Sequence, residues 1–134
     1  ELVLRFFAYA YNYKNFDHSV ADFLSKYMKE MNKRTDFKKE KQDFHEMLQF
    51  AQRILGHGFP RSITHLTTPR VRFESLSVGI HLALKTKPDL TIPDDMTWLN
   101  SPEFQRHTRS DASNSKPKVV ARVEYVRDKI LGKG

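Results

Sequence analysis

The chain has 134 residues and a mass of 15.8 kDa, enough for one domain with a real hydrophobic core. A 39% hydrophobic and 12% aromatic content excludes wholesale disorder, and the lack of cysteine excludes disulfide frameworks, thiolate metal sites and cysteine nucleophiles. Lys and Arg number 23 against 16 Asp and Glu, a formal charge of +7 that favours nucleic acid or another acidic partner.

Residues 2–11 are apolar on nearly every side, and their Ala, Leu and Arg content predicts a central, buried helix ending near Asn12–Asn15. Ser19 with Asp22 three residues later reads as a capping box for an amphipathic helix over 20–32, with Val20, Phe23, Leu24, Tyr27, Met28 and Met31 on its apolar face. Thr35 is placed to cap a third helix with the stripe Phe37, Phe44, Met47, Leu48, Ala51, Ile54 and Leu55, stopped by a left-handed Gly56. Residues 56–70, with two Gly and two Pro, predict an ordered loop. Helical period resumes at Phe73, Leu76, Val78, Ile80, Leu82, Ala83 and Leu84, and Gly79 inside it predicts close approach by a neighbouring helix. Residues 87–98 are a second long loop. Asn100-Ser101-Pro102-Glu103 then starts a short helix to about His107. A polar turn over 110–115 leads into a last helix carrying Val119, Val120, Val123, Val126, Ile130 and Leu131, with Gly132 as its stop. No stretch alternates with period two, so the expectation is an all-α domain of five to six helices and two long loops spanning 1–134. Leu4, Phe7, Phe23, Leu48, Leu76, Leu82, Val123 and Ile130 are its expected core.

No constellation for catalysis emerges. His18, His45, His57, His65, His81 and His107 lack metal-ligand spacing, and His81, within an apolar helix, is expected in the core or at an interface. Gly56-His57-Gly58 has no following Lys-Ser/Thr, and no serine sits in a nucleophile elbow. Asp94-Asp95 reads as turn-capping, and Trp98 and the aromatics of 6–11 as packing rather than base stacking. No metal or other cofactor is expected. The basic residues fall into two groups: Lys26, Lys29, Lys33, Arg34, Lys38, Lys39 and Lys41, and then Arg106, Arg109, Lys116, Lys118, Arg122, Arg127, Lys129 and Lys133. On the register of the last helix, Lys118, Arg122 and Lys129 project from its flanks or outer face, with Arg109 joining from the preceding turn. These four are the candidate DNA- or partner-binding residues. A structural alternative for Arg122 is an ion pair with an acid such as Asp111.

Three blocks resemble a known family. ELVLRFFAYAYNYKNFDHSVADFLSKYMKEMN is similar to the helical block of the bacterial domain-of-unknown-function family two-six-two, which opens with L-x-L-R-F-F-A. RFESLSVGIHLAL resembles that family's later R-x-x-x-F-E/D-A-L helix, and HTRSDASNSKPKVVARVEYVRDKIL its closing T-S-D-x-S-N turn and Arg-bearing helix. These are GmrS-like proteins, related to the modification-dependent restriction enzyme GmrSD. The loop GHGFPRSITHLTTPR is only loosely like the family's F-x-x-x-F-R loop, so Arg61 and Arg70 receive no role. The resemblance implies an enzymatic half upstream, a ParB/sulfiredoxin-like domain with a D-G-Q-Q-R motif, and in many members an HNH-type region downstream. Neither motif occurs in residues 1–134, so no catalytic residue carries over. The expectation is a non-catalytic, cytoplasmic helical fragment that supports the upstream domain and contacts DNA. The alternative is a purely structural or homo-oligomerising module.

Overall fold

In the computed structural model, residues 2–17, 19–56, 58–59, 69–109 and 115–133 are described. Among them lie six α-helices and no strand: α1 Leu2–Asn12, α2 Val20–Met31, α3 Lys38–Ile54, α4 Arg70–Thr86, α5 Pro102–Thr108 and α6 Lys116–Ile130. Short 3-10 turns at Tyr13–Asn15 and Thr97–Asn100 follow α1 and precede α5. None of these helices is long and apolar enough to cross a membrane. The all-α expectation holds, and most of the predicted boundaries fall within a few residues of those observed.

The centre of the fold is α4, not α1 as the apolar run suggested. Every residue from Val71 to His81 is buried, and the helix packs on α6, α1 and α3. Small side chains make this possible, because Ser75, Ser77, Gly79 and Ala83 let neighbours approach from several sides. A Cβ on Gly79 would overlap Val126 of α6 and come within 3.1 Å of the Arg127 backbone nitrogen, which is the close approach its position predicted. From α6, Val119, Val123, Val126 and Ile130 all pack inward at the expected spacing. Gly132 ends that helix in the left-handed region at φ 79°.

The N-terminal half shows where the local reading slips. Phe6, Ala8 and Tyr9 are fully buried, whereas Phe7, like Leu4 and Leu82, sits at the edge of the core; Phe7 packs on Phe44 and Tyr11. Ser19 caps α2 as expected, accepting a hydrogen bond from the Asp22 nitrogen at 3.2 Å. Thr35 does not cap α3. Asp36 does part of that work, its carboxylate accepting from the Lys38 nitrogen at 3.0 Å. The buried side of α3 runs Asp43, Met47, Phe50, Ala51 and Ile54, which leaves Leu48 on the outer edge of the stripe and 37% exposed. Nor is Gly56 the left-handed stop. Leu55 ends α3 in an extended conformation, and the positive φ comes later, at Gly58. Most of the predicted 56–70 loop and of the 110–115 turn, Arg61 and Asp111 included, lie outside the described residues.

Candidate nucleic-acid interface

The α5–α6 pair is held together by aromatic rings. Ser101 caps α5 by accepting from the Phe104 nitrogen at 3.1 Å, with Pro102 in the first turn. That cap turns Phe104 fully into the core, where it meets Trp98 edge-on at a centroid distance of 5.2 Å and stacks with Tyr125 of α6 at 6.2 Å. His107, one turn further on, lies 4.8 Å from the same Tyr125 ring. With α5 docked this way, its C-terminal end and the N-terminal end of α6 share one edge of the molecule. Arg106 and Arg109 are exposed there, as are Lys116 and Lys118.

The His107 ring lies among charges of both signs. Burial lowers its pKa, Glu103 opposes that shift, and the smaller effects of Arg106, Lys118 and Arg122 add to it. Lys116 and Lys118 also stand in the first turn of α6, which carries no acid. Cations at that end oppose the helix macrodipole by about 0.3–1 kcal/mol. Their placement works against helix stability, so it calls for another reason.

The four sequence candidates separate into three places. Arg109 and Lys118 share the cationic edge. Lys129 lies eleven residues beyond Lys118, about 16 Å along the helix, where it is half-buried with its ammonium 5.5 Å from the Tyr125 ring centroid. Arg122 is inside the protein. It is 1% exposed, and its Nε donates to the Glu74 carboxylate at 2.7 Å. The expected outward projection is therefore corrected: Val119, Val123 and Val126 take the apolar side of α6, and Arg122 falls between them on the α4-facing surface. An ion pair was the structural alternative for this residue, and the acid that the structure supplies is Glu74.

Glu74 also accepts from Arg5 Nη1 at 3.2 Å, so one fully buried carboxylate joins α1, α4 and α6. Arg5 and Arg122 make additional interactions beyond this pair of contacts. Arg72, also buried, donates from Nε to the Phe59 carbonyl at 2.7 Å. The sequence did carry a signal for this cluster at one end: Arg5 interrupts a segment that is otherwise apolar. A charged side chain in such a run must either leave the core or find a partner inside it.

Other polar groups are committed to structure. Asp95 accepts from the Thr97 nitrogen at 2.9 Å and from its hydroxyl at 2.6 Å, the turn-capping use expected of that stretch. Asp43 accepts from Tyr11 Oη at 2.6 Å and pairs with Lys85 Nζ at 3.0 Å. Burial raises the Asp43 pKa, but those two hydrogen bonds outweigh it and the net shift is downward. His81 is buried beside this pair, edge-on to Phe6 and Tyr11, and burial lowers its pKa to about 4. A cleft of about 330 Å³ opens beside Asp43, His81 and Lys85, yet the carboxylate there already has both partners. Among the described residues, no group of His, Asp and Glu is arranged to hold a metal ion. Comparison with family models, curated proteins and solved structures finds no match.

Proposed function

We propose that this chain is a non-catalytic helical domain of a GmrS-like DNA-defence protein. In this reading it works in the cytoplasm, supports an upstream nucleotide-hydrolysing or nuclease domain, and contacts DNA phosphates. The contacting residues are Arg109 and Lys118, with Arg106 and Lys116 beside them. One observation carries the DNA contact: Arg106 and Lys118 both lie near His107, Arg109 and Lys116 are exposed beside them in the chain, and the two lysines stand where they oppose the dipole of their own helix. The family reading draws support from the core. Arg5, Glu74 and Arg122 come from the three blocks that carry the resemblance, and they meet in one buried ion cluster.

The test is titration with duplex DNA at two salt concentrations, using the wild-type chain and a Lys116→Gln/Lys118→Gln double variant. Each lost phosphate contact lowers the salt slope by about 1, so the double variant is expected to lose about 2 with no fall in melting temperature. Absence of wild-type binding at low salt would leave the structural or homo-oligomerising module as the function.

A further inference from the structure

We propose that the α2–α3 corner is a second nucleic-acid contact surface, built of lysines that grip the phosphate backbone without reading sequence. This extends the reading above to a separate face of the molecule, and it stands on different residues.

The stretch 26–41 contains seven cations and three acids, which by sequence alone is only a moderate excess. The structure keeps that excess and leaves it entirely to lysine. Glu40 is buried and held by Arg34, whose Nη1 and Nη2 reach its two oxygens at 2.5 and 3.2 Å. Asp36 caps the Lys38 nitrogen through its carboxylate, while its carbonyl accepts from Arg34 Nη2 at 2.9 Å. One acid and one arginine thus cancel in shaping the corner, while the exposed Asp36 keeps its charge. What remains is Glu30 and Asp36 facing six lysines, 26, 29, 33, 38, 39 and 41, all exposed. Lys39 lies over the Tyr11 ring at 5.8 Å. None of the six forms an ion pair with another described residue.

Their spacing organises them. Lys26, Lys29 and Lys33 follow i, i+3, i+7 on and just past α2, and Lys38 and Lys41 follow i, i+3 on α3. The two stripes flank one corner, because the Arg34–Glu40 pair ties the turn that follows α2 to the first turn of α3. Like the lysines of α6, those at the start of α3 oppose the helix dipole. Like charges so placed repel one another, whereas a polyanion neutralises them all and releases its counterions.

Lysine rather than arginine fits a particular kind of recognition. The ammonium is a mobile point charge without the planar fork that fixes geometry on one phosphate or one base edge. The partner is therefore nucleic acid bound through its backbone, a contact that gives affinity and position rather than specificity. An anionic membrane is the less favoured partner, since Met28 is the one large apolar side chain of α2 that is exposed, too little to insert.

The experiment compares three forms of the full chain on one duplex across a salt series: wild type, Lys29→Gln/Lys33→Gln/Lys38→Gln/Lys41→Gln, and Lys116→Gln/Lys118→Gln. The four-lysine variant is expected to lose about 3–4 from the salt slope and tenfold or more in affinity at low salt. Its melting temperature should stay level or rise, since repulsion is removed. Loss confined to the Lys116/Lys118 variant would overturn the corner and leave the α5–α6 edge standing; loss confined to the four-lysine variant does the reverse. An unchanged slope in the four-lysine variant, or a clear fall in its melting temperature, overturns the inference. So does tighter wild-type binding to phosphatidylserine-containing vesicles than to the duplex at equal salt.

Discussion

Replacing Glu74 by Gln is the sharpest probe of how this fold is held together. The substitution keeps shape and one carbonyl oxygen but removes the charge that Arg5 and Arg122 share. Glu74 is fully buried and the two guanidiniums are 6% and 1% exposed, so water cannot take its place. Removing one partner of a buried ion cluster costs about 3–5 kcal/mol, because the remaining charges stay desolvated. For a chain of this size that is a fall of about 10–18 °C in melting temperature, and a large share of a typical stability of about 5–15 kcal/mol. Urea denaturation followed by circular dichroism measures it, with an unchanged slope showing that the unfolded state is not altered. Arg122→Gln should cost a similar amount. The two effects should fall well short of additive in the double variant, since both remove the same contact. A loss below about 1 kcal/mol in Glu74→Gln would refute the idea that the carboxylate stabilises the junction of α1, α4 and α6, because a pair that spends all its attraction on desolvation still leaves two charges behind when broken.

Gly79→Ala tests the α4–α6 contact by its sign: helix propensity alone would stabilise by about 1 kcal/mol, whereas overlap with Val126 predicts a net loss of about 1–3 kcal/mol. A more stable Gly79→Ala variant would show that the helices can separate without cost. For His81, the folded pKa of about 4 lies below the ordinary 6.5, so the unfolded chain binds the extra proton between those values. Stability from neutral His81 is present above pH 6.5 and is lost as pH falls towards 4, by an amount on the order of 2–3 kcal/mol. His81→Phe should flatten that part of a stability–pH profile, and a profile identical to wild type would remove His81 as its source.

The helices were legible because capping and periodicity are local. Ser19, Ser101 with Pro102, and the 119–123–126–130 register each act within a turn or two, and each appears where the spacing put it. Which helix occupies the centre was not legible. α1 is richer in large apolar residues than α4, but centrality depends on how many neighbours can approach, and that falls to the small residues of α4. Arg122 shows the same limit at the candidate site. Its helical position was right, but periodicity says only that it lies beside the valines, not that a carboxylate from α4 waits opposite. The reassignment of α3's cap from Thr35 to Asp36 has a similar cause, since Arg34 draws the preceding turn towards Glu40.

Composition treats Lys and Arg as one quantity, but among the described residues only arginine is drawn inside. Arg5, Arg72 and Arg122 are buried, while every described lysine is exposed or half-exposed. The division follows from hydration. A guanidinium is weakly hydrated and can satisfy a buried carboxylate or carbonyl through a planar set of donors, whereas an ammonium holds its water tightly and stays outside. Acids divide as well, since Glu74, Glu40 and Asp43 are buried with cationic partners. The formal charge of +7 is thus a sum over two unlike regions. Inside, opposite charges tie α1, α4 and α6 together. Outside, lysines gather at the α2–α3 corner and at the start of α6 with few acids to offset them. A surface field produced in this way is mobile, screened by salt and indifferent to sequence, which are the properties expected of contact with a phosphate backbone.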